Sequence, residues 1–303
     1  MTDIAAHHHR PRRSCLYMPG ANARALEKAA SLAADVLVLD LEDAVLPEAK
    51  AEARARVADK VVQRQYGGRE VWVRVNALDT PWGRDDVSEI VESGPDGVLI
   101  PKIATAAEVF AADALFDEYG ASPTMGLWVM IETPLAVLNL QQIAAASADS
   151  RLRGFVVGTN DLAKEMMAQP GEDRLAFHNA LSQTVMAARA YGLIAIDGVF
   201  NDIGNDSGLQ RESEQGRAFG FDGKSLIHPS QLAIANCVFA PDAAQLAHAH
   251  DVIAAFADPA NAGKGVLKVN GKMTEVLHIE QARALVQKQM AIDALAHPAP
   301  DPS

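Results

Sequence analysis

The chain has 303 residues, 49% hydrophobic and 22% charged, with a formal net charge of −12. That length can bury a large core, in one barrel-sized domain or two smaller ones, and the composition is that of an ordinary soluble enzyme. An acidic balance with no basic stripe argues against nucleic acid as a partner. No run has the length of a membrane span or the apolar core of a secretion signal, so a cytoplasmic address is the expectation.

Residues 1–12 carry His7, His8, His9, Arg10 and Arg12, with Arg13 following. They read as a disordered polar tail. Eight strand-like runs come next, at 14–18, 36–43, 71–76, 97–103, 126–133, 154–161, 192–199 and 221–227. Most are continuously apolar, as parallel strands covered on both faces are. Between them lie Ala-, Leu-, Glu- and Arg-rich segments of helical period, such as 23–34 behind the N-cap Asn22 and 175–191. This alternation, sustained over about 230 residues, predicts a (β/α)8 TIM barrel, with a doubly wound open sheet as the alternative. The segment after the first strand, Tyr17-Met18-Pro19-Gly20-Ala21-Asn22, lacks the glycine-rich phosphate loop of an open sheet and favours the barrel.

Beyond the eighth strand, 229–257 reads as one helix and 258–265 as a flexible linker. Asn270-Gly271 between two short alternating runs marks a hairpin, and 278–296 a closing helix. The barrel domain is therefore expected over 13–257. The C-terminal extension, 258–303, reads either as a lid or as a surface appendage or oligomer contact. Cys15 and Cys237 read as buried reduced thiols.

Three runs end in acids: Glu42 and Asp43, Glu132, and Asp161. In a barrel the C-terminal strand ends face the active site, so converging carboxylates there suit Mg2+ or Mn2+ better than zinc. Taken singly, each acid reads equally as a helix cap. Gly158, before Thr159, Asn160 and Asp161, permits close backbone approach, and Pro134 fixes the turn after Glu132. Alternation points Arg74 into the barrel with Trp72 and Asn76, where its fork suits a carboxylate of the substrate or of Glu42 and Asp43. A purely structural ion pair is the alternative. Lys102 lines the same mouth, but an acid-rich site works against a Schiff-base lysine. His228 reads as a packing or capping residue.

In order along the chain, Tyr17-Met18-Pro19-Gly20 with Arg24 and Lys28, Asp40-Leu41-Glu42-Asp43-Ala44-Val45, Val73-Arg74-Val75-Asn76, Pro101-Lys102, Ile131-Glu132-Thr133-Pro134, Gly158-Thr159-Asn160-Asp161-Leu162, Phe221-Asp222-Gly223-Lys224 and Ile227-His228-Pro229 resemble the citrate lyase β-subunit-like branch of the phosphoenolpyruvate/pyruvate-type barrel superfamily. That branch includes malyl-CoA and citramalyl-CoA lyases. The resemblance implies Mg2+ on Glu132 and Asp161, metal-bound waters on Glu42 and Asp43, and Arg74 on the keto-acid fragment. It implies CoA near Met18, Pro19, Arg24 and Lys28, and a homotrimer or hexamer whose lid reaches a neighbour. The implied reaction is cleavage, or the reverse condensation, of a β-hydroxyacyl-CoA to an acyl-CoA and a 2-keto acid. One position departs from the pattern: Gly271-Lys272-Met273-Thr274 is followed by Glu275 where CoA-lyase relatives carry aspartate, so the acid/base group is one methylene longer. A citrate lyase β subunit working on a carrier-protein thioester, a CoA-independent hydroxy-keto-acid aldolase and a non-catalytic subunit that keeps the fold are the competing readings.

Overall fold

Every apolar run expected to be a strand forms one. The computed structural model describes residues 10–296. Its strands are β1 (Ser14–Pro19), β2 (Val36–Asp40), β3 (Glu70–Arg74), β4 (Gly97–Ile100), β5 (Gly126–Ile131), β6 (Leu152–Val157), β7 (Ile194–Asp197) and β8 (Gly223–Leu226). They pair in sequence order, all parallel, and β8 closes on β1 through Ser14 opposite Lys224. The result is the expected (β/α)8 barrel. From β2 onward each strand stops one to four residues short of its expected end. Past the last paired residue the chain is already turning toward the next helix. Residues 159–161, for example, are the first turn of α7 rather than the end of β6.

The helices around the barrel are α1 (Ala23–Ala29), α2 (Lys50–Val62), α3 (Gly83–Ser93), α4 (Ala106–Glu118), α5 (Pro134–Leu138), α6 (Leu140–Ala145), α7 (Thr159–Met166), α8 (His178–Ala190), α9 (Asp206–Phe219) and α10 (Leu232–Val238). Period-two alternation sorts the strand side chains into two layers. Cys15, Val36, Val38, Trp72, Leu99, Trp128, Met130, Val156, Ile194 and Ile196 pack together in the lumen. Leu16, Leu37, Val73, Val98, Val129 and their neighbours pack outward against the helices.

Toward the strand N-termini the lumen is filled by Trp72 stacked on Trp128, with ring centroids 3.9 Å apart. Gly154 makes room for the pair: a Cβ there would lie 2.5 Å from both Trp128 Cζ3 and the Ile194 carbonyl oxygen. Arg12 sits over Trp128 and grips Glu70 through two hydrogen bonds of 2.7 and 3.1 Å. Arg13 pairs with Asp35 at 2.8 Å. The expected tail therefore ends earlier than residue 12, because Arg12 is buried and meets an acid 58 positions away that local sequence does not reveal. His7, His8 and His9 lie outside the described residues. Cys15 is buried as expected, whereas Cys237 is exposed on α10.

A second buried ionic cluster ties the β7 and β8 ends to α9. Lys224 donates to the Gly198 carbonyl (2.6 Å) and to Glu212 (2.7 Å), while Arg174 grips Asp197 at 2.8 and 3.0 Å. Burial opposes the Asp197 charge, yet Lys224 and Arg174 hold its carboxyl below the usual value.

The larger unit spans Arg12–Phe239, and a smaller one begins at Ala240. The boundary thus falls before the helix expected to end the barrel, not after it. Segment 229–257 is interrupted at Pro241, and Asp242 opens a new helix, α11 (Ala243–Ala257), with a capping box to Gln245. α11 packs within the smaller unit, its Ala249 and Val252 against Val269 and Ala282. That unit also holds the expected hairpin, β9 (Val266–Val269) and β10 (Lys272–Glu275), and α12 (Val276–Ala296). Asn270 and Gly271 turn the hairpin with positive φ of 50° and 80°. No helix among the described residues is long and apolar enough to cross a membrane.

Gly154→Ala is expected to lower unfolding stability by about 1–3 kcal/mol through overpacking. Gly204→Ala, where a Cβ meets nothing within 4 Å, should change it far less; urea denaturation followed by tryptophan fluorescence measures both.

Candidate active site

At the C-terminal strand ends the lumen face turns polar. Continuing the inward positions of β1, β2, β3 and β5 by two residues gives Tyr17, Asp40, Arg74 and Glu132 in turn. A cavity of about 320 Å³ opens here, lined by Tyr17, Asp40, Arg74, Met130 and Asp161 among others.

Arg74 is the hub. Its fork grips Asp40, Nε to Oδ1 at 2.7 Å and Nη2 to Oδ2 at 2.8 Å. Nη1 reaches Glu42 at 2.8 Å and Asp43 at 3.3 Å. The Tyr17 ring covers the guanidinium at 4.7 Å, a cation–π contact. Asp40 also accepts the backbone N–H groups of Glu42 (3.0 Å) and Ala44 (3.2 Å), which fixes the loop after β2. Glu42 and Asp43 are thus partners of Arg74 in this structure. Asn76 leaves the alternation, because β3 has ended: its backbone N–H donates outward to Asp86 at 3.0 Å and its side-chain Oδ1 accepts from Lys50 at 2.7 Å.

Glu132 and Asp161 meet at Lys102. The ammonium lies 3.7 Å from Glu132 Oε1 and bonds Asp161 Oδ1 directly. The Lys102 backbone N–H also donates to Glu132 Oε1 at 2.8 Å, from a left-handed conformation with φ of 60°. A non-glycine residue held there marks local strain of a kind that clusters at functional sites. Burial opposes the ammonium's charge, but Asp161 and Glu132 hold its pKa above the ordinary value. Glu132 is buried, and that burial raises its pKa against the pull of Lys102. Gly158 is the backbone that passes over it: a Cβ there would sit 2.5 Å from Glu132 Oε2. Thr133 caps α5 and Pro134 occupies its first turn, as expected. Asp161 lies in the first turn of α7, close to the helix N-terminus that favours negative charge.

Glu42 is pushed up to about 8, chiefly by burial, with Asp43, Glu132 and Asp40 adding and Arg74 opposing. Thr159 is nearly buried, and Asn160 exchanges side-chain hydrogen bonds with Asn201 at 2.7 and 3.3 Å. Of the residues expected near CoA, Pro19 lines the cavity and Arg24 and Lys28 are exposed on α1. Met18 is buried in the layer between barrel and helices, because alternation turns it away from the lumen. His228 caps a short 3-10 helix through Ser230. Glu275 ends β10 in the smaller unit, exposed, its backbone N–H on His278 Nδ1.

One of these residues, Asp40, has no role assigned from the sequence. Asp40 was masked by the overlong β2, although the Val36–Val38–Asp40 alternation places it inward. Lys102 was placed at the mouth but not between the two acids.

Residues 13–229 match the family model described as HpcH/HpaI aldolase/citrate lyase. The chain belongs to that family. A (3S)-malyl-CoA thioesterase of Cereibacter sphaeroides is 47% identical over 95% of this chain and 98% of its own length. An L-malyl-CoA/beta-methylmalyl-CoA lyase of the same organism is 33% identical over 94% and 96%. Among solved structures, CitE from Mycobacterium tuberculosis in complex with magnesium, acetoacetate and coenzyme A superposes with a TM-score of 0.74 at 27% identity, covering 93% of this chain and 98% of that one.

Among the described residues no three His, Cys, Asp or Glu side chains gather tightly enough to hold a metal alone. Mg2+ does not need them, since it binds through one or two carboxylates and keeps several waters. Glu132 and Asp161 already converge on one cation, the Lys102 ammonium. Asp40, Glu42, Asp43, Glu132 and Asp161 pair with Arg74 and Lys102, and the Lys50 ammonium, bonded to the Glu42 carbonyl, adds its charge behind the first three. Five carboxyl groups thus face three cations, and one divalent cation offsets the remainder. The donor set of this HpcH/HpaI family member fits Mg2+.

A Glu42 carboxyl that titrates near 8 is protonated at neutral pH, and a nearby cation lowers that pKa. Mg2+ binding at pH 7 should therefore release protons, and affinity should rise with pH up to about 8. Calorimetry in buffers of different ionisation enthalpy measures the release, which Glu42→Gln should abolish.

Proposed function

We propose that this protein is a Mg2+-dependent enzyme acting on a β-hydroxyacyl-CoA of the malyl-CoA type, with hydrolysis of the thioester as its net reaction. The observation that carries the substrate class is the convergence of Glu132 and Asp161 opposite Arg74 at the barrel mouth. Bound there, Mg2+ supplies Lewis-acid polarisation of the substrate's carboxylate and hydroxyl oxygens. Arg74, held by Asp40, places fixed positive charge beside the hydroxy-acid half. Lys102 keeps both metal-binding carboxylates in register through its backbone N–H and its ammonium. Arg24 and Lys28, exposed on α1, offer cations to the phosphates of CoA, and Pro19 a wall for the thioester arm. Glu275 is the proposed acid/base group, and Glu275→Gln should lower kcat while leaving Mg2+ affinity unchanged.

Hydrolysis is placed first because the thioesterase relatives share 47% of positions over nearly their whole length, against 33% for the lyases. The glutamate at 275 also departs from the lyase pattern. Cleavage of the Cα–Cβ bond to an acyl-CoA and a 2-keto acid is the second reading, supported by the family match and the lyase relatives.

The test incubates the protein with Mg2+ and (S)-malyl-CoA, resolving malate and free CoA from glyoxylate and acetyl-CoA. Malate with free CoA supports hydrolysis, and glyoxylate with acetyl-CoA moves the assignment to the lyase. Glu132→Ala and removal of Mg2+ by EDTA should each reduce turnover at least about 100-fold, given the several kcal/mol that such charge stabilisation supplies. Inert wild-type enzyme would refute the substrate class.

A further inference from the structure

At the cavity wall, one lumen-facing hydroxyl has no role yet, that of Tyr17. Tyr17 lies between Leu16 and Met18, both turned outward into the layer beneath the helices. Its own ring packs against the lumen cluster and over Arg74, and it lines the cavity. Tyr17 is half-buried at the cavity wall, and a tyrosine hydroxyl whose ring is packed ordinarily finds a hydrogen-bond partner in the protein or in a ligand or solvent. Tyr66 does, donating to the Leu26 carbonyl at 3.2 Å. The Tyr17 hydroxyl bonds none of the described residues, although Arg74, Asp40 and Met130 surround the same space.

The neighbourhood indicates what such a hydroxyl serves. Arg74 already shares its charge among Asp40, Glu42 and Asp43. An anionic substrate oxygen beside it meets carboxylates on several sides, and a neutral donor offsets that repulsion without adding charge to be balanced. Burial, reinforced by Asp40, Glu132 and Glu42 and opposed by Arg74, holds the phenol's pKa above its ordinary value, so the group stays a donor across the working pH range.

We propose that the Tyr17 hydroxyl donates a hydrogen bond to the substrate, at the oxygen of the hydroxy- or keto-acid half that faces Arg74, and is a catalytic residue of this site. The proposal rests on the reading above that a small 2-hydroxy or 2-oxo acid group binds beside Arg74. The phenyl ring supplies cation–π contact and packing, whereas the hydroxyl alone supplies the donor. Tyr17→Phe therefore separates the two roles.

Four measurements on the protein test it. Tyr17→Phe should lower kcat/KM for malyl-CoA about 10- to 100-fold, the loss expected for one hydrogen bond to a charged oxygen. It should weaken binding of oxalate to the Mg2+-loaded protein by a comparable factor, read by calorimetry. The thermal midpoint and Mg2+ affinity should match wild type. If wild type turns over neither way but Tyr17→Phe still weakens oxalate, the thioester reading fails and the Tyr17 assignment stands. Oxalate affinity equal in the two proteins overturns the assignment, as does wild-type protein that takes up no oxalate. A parallel fall in thermal midpoint or Mg2+ affinity makes Tyr17 structural and overturns it equally.

Discussion

The site depends on the fork between Arg74 and Asp40. Both side chains are buried at the top of the lumen, where an unpaired charge is expensive. The pair settles three things together. It neutralises a guanidinium that the strand alternation forces inward, it aims that guanidinium across the mouth, and through the Asp40 bonds to the Glu42 and Ala44 N–H groups it folds the loop carrying two further acids. Removing one partner of a buried pair costs about 3–5 kcal/mol, mostly from the charge left behind. Asp40 thus supports both the barrel rim and the orientation of Arg74.

Around that fork the protein keeps more negative charge than its own cations offset. A fold selected for stability alone would replace several of these acids with apolar groups of similar volume. The excess, the raised Glu42 pKa and the left-handed backbone at Lys102 are local departures from an unstrained design, and such departures gather where a ligand completes the balance. The rest of the barrel obeys ordinary packing. The ionic cluster of Arg174, Asp197, Lys224 and Glu212, by contrast, is internally matched and serves as an anchor.

Strand order and closure were legible because buried parallel strands are short apolar runs bounded by turn residues. The strand ends were not, since polar residues past the last ladder bond continue the chain without changing its composition. That error hid Asp40, which two-residue alternation from Val36 and Val38 identifies once β2 is shortened, and it wrongly sent Asn76 inward. The placement of Glu132, Asp161 and Gly158 at the barrel mouth was legible because each of the two acids sits near a glycine, a proline or a helix start. The Arg12–Glu70 pair was not, because its partners are far apart in sequence. The interruption at Pro241 was legible in principle, since a proline followed by aspartate is a helix break and cap.

The barrel floor has an optical consequence. Trp72, Trp82 and Trp128 are the only tryptophans in the chain, and all belong to the larger unit. With the indoles of Trp72 and Trp128 stacked at 3.9 Å, their excited states couple, so the closed lumen carries its own near-ultraviolet circular dichroism signature. That signal reports on the eight-stranded wall alone. Melting confined to the hairpin and its two flanking helices would leave it intact and show only in the far ultraviolet, so one unlabelled sample can display the cooperativity, or independence, of the two units.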